Sequence, residues 1–199
     1  MKKIGMTISV LSLLFSLLLG CGSGKSESAS PNIMVAAGDL DDNFHSLEEI
    51  ESKAETILEI RVLDNQQTIV YGDIPFTISR AVVLSSLKGN IHEGEEINIL
   101  ETGGIYKPVS KEGKGFLPEV DYAFNGIPVM KSGEHLVTFL YKYEGPIAKN
   151  VFMPLGVYQG KFKVQDNGKI EQQAPKENKI ITNFTDLGAF KGKVKEMVK

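Results

Sequence analysis

The residues able to do chemistry in this 199-residue chain are few and scattered. His45, His92 and His135 are its three histidines, and none lies within a helical turn of another, so no pair can clasp a metal from one helix face. His92-Glu93 opens like an HExxH motif but lacks the second histidine. Asp39, Asp41 and Asp42 alternate like calcium ligands, yet the central glycine and terminal glutamate of an EF-hand loop do not follow. They read as a solvated acidic lead-in. No GxSxG turn presents a serine nucleophile, and Ser79, Ser85 and Ser86 fall on or beside a strand pattern with no histidine fixed nearby. Gly103-Gly104 reads as a turn, since a phosphate loop needs a fuller glycine pattern leading into a helix. No catalytic residue, metal ligand or cofactor is therefore expected. The remaining candidate is Cys21. As the sole cysteine it excludes an intrachain disulfide framework and any zinc site needing several sulfurs.

The neighbourhood of Cys21 gives that sulfur a role. Lys2 and Lys3 precede an apolar stretch from Ile8 to Leu19, broken only by Ser9, Ser12 and Ser16, which has the size of a secretory h-region and is short for a membrane span. Leu18-Leu19-Gly20-Cys21 follows directly. In order and spacing this segment resembles a bacterial lipoprotein precursor. The resemblance implies cleavage before Cys21, a thioether-linked lipid on its sulfur and an acyl chain on its amine. Buried hydrocarbon contributes roughly 0.8 kcal/mol per CH₂, so several chains hold a soluble domain that one chain holds only marginally. The expected partner is thus the membrane, reached through lipidated Cys21, and the expected location is extracytoplasmic.

Charge excludes other partners. The chain carries a net charge of −3, and loss of residues 1–20 with Lys2 and Lys3 takes it to −5. Nucleic acid is disfavoured, and no polybasic patch attracts anionic lipid. The hydrophobic fraction of 42% suits a packed domain. Three segments are expected: a signal over 1–20, a lipidated flexible tether over 21–31 in which GSGKSESASP has no large apolar group, and a single domain over 32–199.

The domain reads as mainly β with flanking helices. Ser46 and Glu49 form a capping box before Leu47, Ile50 and Ala54, predicting a short N-terminal helix over 47–54. Alternating apolar positions then predict strands over 56–63, 68–85, 94–101, 135–143 and 157–165. Arg80 interrupts one of them and requires either a bulge or a strand running past the core. Both faces of 136–143 are apolar, which fits barrel closure or cover by a helix. Asp166-Asn167-Gly168 marks a hairpin leading to Ile170. At the end, Thr185 can cap a C-terminal helix carrying Leu187, Phe190, Val194 and Met197 on one side.

These five strands outline a small antiparallel barrel. With the segments LSSLKG (84–89), GEEINIL (94–100), ETGG (101–104), SGEHLVTFL (132–140) and YQGKFKVQDNGKI (158–170), they resemble secreted bacterial proteins with an OB-like barrel related in shape to the tissue inhibitors of metalloproteinases. The resemblance implies a five-stranded antiparallel OB-like barrel. It does not carry inhibition over, because that mechanism needs a free N-terminal cysteine amine and disulfides, and this chain has one cysteine already assigned to lipid.

Glycines and prolines break the pattern over 102–131, predicting a long excursion rather than a regular central strand. Its Ile105, Tyr106, Phe116, Leu117, Tyr122, Phe124 and Ile127 either cover a barrel end or form a recognition surface, with Tyr106, Phe116, Tyr122 and Phe124 as the candidate contacts, and exposure of Tyr106 and Phe116 in a contiguous apolar patch distinguishes the two. The functional expectation is a membrane-anchored interaction module for an envelope or extracellular protein or ligand. The alternatives are a small hydrolase assembled from dispersed carboxylates or histidines, and a structural envelope protein. Oligomeric state is not legible at this level.

Overall fold

A computed structural model describes residues 31–180, 184 and 186–199. The expected signal, Cys21, most of the tether and the Thr185 cap lie outside the described residues. In chain order the elements are β1 (Asn32–Ala36), α1 (Leu47–Lys53), β2 (Thr56–Tyr71), β3 (Ile74–Lys88), β4 (Glu96–Tyr106), β5 (Val120–Phe124), β6 (His135–Lys142), β7 (Phe152–Pro154), β8 (Lys161–Val164), β9 (Ile170–Gln172) and α2 (Leu187–Met197).

Five strands close an OB-like barrel. β2 pairs antiparallel with β3 and β6, β3 with β4, and β6 with β7; β7 then meets β4 in parallel at Ile99 and Phe152, completing the ring. The parallel contact corrects the all-antiparallel expectation, and parity explains it: an odd number of strands cannot alternate direction around a closed circle.

The closing strand is a second correction. Residues 157–165 were expected to supply it, but Phe152–Pro154 does so, because Gly156 and Val157 adopt positive φ and turn the chain before β8 begins. A three-residue strand ending in proline is too short to show alternation. β8 instead continues along the β6 edge that β7 leaves, pairing Val137 with Phe162, and forms with β9 the expected hairpin around Gly168 (φ 78°).

Alternation divides the core into layers. Leu58, Ile60 and Val62 of β2 join Leu136 and Leu140 of β6 inside the barrel. Ile57, Val137 and Phe139 face outward beneath both helices, where Phe190 of α2 stacks at 4.8 Å from Phe162 and 6.3 Å from Phe139. β6 therefore needs apolar residues on both faces, one for the barrel and one for the helix.

The helices start where side chains satisfy free backbone donors. Ser46 Oγ accepts from Glu49 N–H at 3.1 Å, and Glu49 returns a carboxylate to His45 N–H at 2.8 Å. α2 is capped by Asp186, which accepts from Ala189 N–H at 2.9 Å. At Arg80 the facing strand bulges: the β2 register shifts between Val62 and Asp64, and Asp64 meets the guanidinium at 2.7 Å.

The 102–131 excursion is more regular than expected. β4 runs straight through Gly103 and Gly104 (φ 124° and 112°), so this pair lies within a strand rather than in a turn. A Cβ on Gly104 would collide with the Thr77 hydroxyl, which explains the glycine without any ligand. Beyond the barrel, β5 returns antiparallel to β4 and β1 adds in parallel, building a three-stranded wing.

Candidate recognition site

The wing carries the exposed apolar surface of the excursion. Between β4 and β5 the loop is held by its own backbone: Leu117 N–H donates to Pro108 O at 2.8 Å, Ser110 N–H to Gly115 O at 3.0 Å and Gly113 N–H to Ser110 O at 2.8 Å. On this frame Phe116 is 73% exposed, and Val109, Leu117 and the neighbouring strand residue Ile105 are also exposed. Such a group on an ordered loop presents hydrocarbon to water with little backbone left to order on contact.

The four aromatic candidates divide. Phe116 is the exposed one. Tyr106 is half-buried, its ring edge-on to Tyr122 at 6.1 Å. Tyr122 is only 7% exposed, and burial, aided by the adjacent Tyr106, pushes its phenol above the ordinary range. Phe124 is half-buried 6.3 Å from Tyr158, whose hydroxyl accepts from Asn125 at 3.1 Å and donates to Asn178 at 3.0 Å. Phe124 thus packs the wing against the segment that follows β7, while Tyr122 packs within the wing itself. The expected aliphatics Ile105 and Leu117 are exposed with Phe116, and Val109, which the sequence does not single out because an isolated valine beside a proline shows no period, joins them.

A groove of about 380 Å³ separates the wing from the outer part of the β2–β3 hairpin, with Asn65, Thr68, Thr77, Ile105 and Val129 along its walls. Thr77 Oγ1 donates to Gly103 O at 2.7 Å across its base. Lys131 and Asp121 face each other at 3.8 Å at this groove.

A second, polar cleft of about 730 Å³ opens beside His135, lined by Arg61, Glu134, Lys163 and Asp166. His135 Nε2 lies 2.8 Å from Glu59 Oε1, and the other carboxylate oxygen takes Lys191 from α2. Burial pushes the Glu59 carboxyl up, but the hydrogen bonds from Lys191 and His135 outweigh it and leave the group below its ordinary value. This convergence was invisible in sequence, since Glu59 and His135 are 76 positions apart. Ser132, also at this cleft, donates its hydroxyl to Leu63 O at 2.6 Å.

His45 and His92 are exposed, as are Asp39, Asp41 and Asp42. Among the described residues no group of three metal-binding side chains converges, and no helix is long and apolar enough to cross a membrane. No family model, curated protein or solved structure matches the chain.

Proposed function

We propose that the protein is a membrane-anchored extracytoplasmic lipoprotein, tethered through Cys21, whose OB-like barrel displays a protein-recognition surface on the wing. The order of basic residues, apolar run and LLGC supports the anchor. The ordered, exposed group of Phe116, Leu117, Val109 and Ile105 carries the recognition reading, because it leaves hydrocarbon in water where a fold concerned only with its own stability gains nothing. Proximity labelling in the native cell tests it. A partner should label beside the wild type and disappear with Phe116→Asp/Leu117→Asp at equal protein level. An unchanged set of neighbours contradicts the reading.

One observation favours the hydrolytic alternative: the Glu59–His135 pair, an imidazole oriented by a carboxylate at the margin of a polar cleft. A base of that kind would activate water rather than a serine, given the engagement of Ser132. Hydrolysis of ester or phosphoester probes by the wild type but not by His135→Gln would support this alternative. Equal rates would remove it.

A further inference from the structure

We propose that β1 pairs edge to edge with β1 of a second copy of this chain, in an antiparallel register centred on Met34. β1 is the terminal strand of the sheet and, among the described residues, pairs only with β5. Ala36 O accepts from Asn125 N–H at 2.7 Å, so the backbone groups of Ala36 face β5. Strand alternation then aims those of Asn32 and Met34 inward and those of Ile33 and Val35 outward. The outer edge thus presents two N–H and two C=O groups with no strand against them among the described residues.

The side chains argue for the occupant. Edge strands that must stay single carry charges, proline or a bulge, whereas Asn32-Ile33-Met34-Val35-Ala36 has none of these and leaves Ile33 71% and Val35 62% exposed. Backbone hydrogen bonding demands a strand as partner, and this segment is complementary to itself. An antiparallel two-fold at Met34 sets Ile33 opposite Val35 of the second copy and Val35 opposite Ile33, and both pairs exchange their outward hydrogen bonds. All four aliphatic side chains then share one face. Asp121 lies in register beside Ile33 and Ile105 beyond it, so the same face carries one further exposed aliphatic of each wing past the Asp121 carboxylate. A common membrane tether would favour such contact by raising local concentration, but the pairing geometry does not depend on lipidation.

The two Met34 residues would form a non-hydrogen-bonded pair with Cα atoms about 4.5 Å apart, within the range a disulfide spans. The full chain carrying Met34→Cys, oxidised with copper-phenanthroline in native membranes, should give a covalent dimer of this chain. Tyr71→Cys, at a somewhat more exposed position at the end of β2, should not, nor should the wild type with Cys21 alone. Adding Val35→Pro, which deletes an outward donor, should cut the dimer fraction about tenfold. Ile33→Lys/Val35→Lys should do the same without touching the backbone, with thermal unfolding of each variant checking that the fold persists. Equal cross-linking at 34 and 71, no dimer at 34, a Met34→Cys adduct with a different protein, or insensitivity to both edge variants would each overturn the proposal. The readout is separate from labelling at Phe116, so either reading can fail alone.

Discussion

Lys161 donates to the Glu101 carboxylate at 2.8 Å with the two side chains only 4% and 2% exposed. Each group has a second partner. Glu101 also accepts Met130 N–H at 2.9 Å, and Lys161 reaches Pro128 O at 3.0 Å. Two residues from β4 and β8 thereby pin the returning end of the excursion, and with it the base of the wing, to the barrel. Taking two charges out of water is repaid here only by complete pairing.

Removing one member should therefore cost far more than removing both. Lys161→Met is expected to destabilise the fold by about 3–5 kcal/mol, since Glu101 would stay buried without its cation. Lys161→Met/Glu101→Gln should recover part of that loss. Urea unfolding of the two variants and the wild type measures the difference, and a double variant no more stable than Lys161→Met would contradict the clamp.

Glu59 predicts a pH dependence of definite sign. Its carboxyl is held below its ordinary 4.5 in the fold, so the folded state binds fewer protons than the unfolded one in that region. The stabilisation is complete above 4.5 and is lost as pH falls through the depressed value. Wild type should exceed Glu59→Gln in urea midpoint at pH 7, and the gap should narrow steadily as the pH is taken below 4.5. A gap that stays constant to pH 2 would contradict it.

Phe116 and Tyr122 should separate recognition from stability. Phe116→Asp, at an open position, is expected to change unfolding free energy by less than about 0.5 kcal/mol. Tyr122→Ala should cost on the order of 3 kcal/mol, because it leaves a cavity against Tyr106 and uncovers the wing. Thermal and urea unfolding check both, and a strongly destabilised Phe116→Asp would recast that ring as part of the core.

Local rules were legible in the sequence, and long-range closure was not. The Ser46–Glu49 cap, the turn at Gly168 and the two-faced strand at 136–142 follow from chemistry within a few residues, and each is present. β7 escaped because three residues carry no period, and its parallel contact with Ile99 is a property of the whole ring. The β5 strand was hidden by the glycines and prolines around it, and the Lys161–Glu101 and Glu59–His135 pairs join residues 60 and 76 positions apart. Of the candidate aromatics, ring type alone could not tell Phe116, lifted by its loop, from Tyr122, turned into the wing. The exposed edge of β1 did leave a trace, an uncharged apolar run directly after a polar tether.

The anchor is the premise on which location and partner class depend, and intact-mass analysis of protein taken from native membranes tests it most directly. The account predicts a chain beginning at Cys21 with lipid mass on that residue, and a Cys21→Ser variant that keeps residues 1–20 and takes up no labelled lipid. A wild-type mass that retains residues 1–20 with an unmodified Cys21 would contradict it.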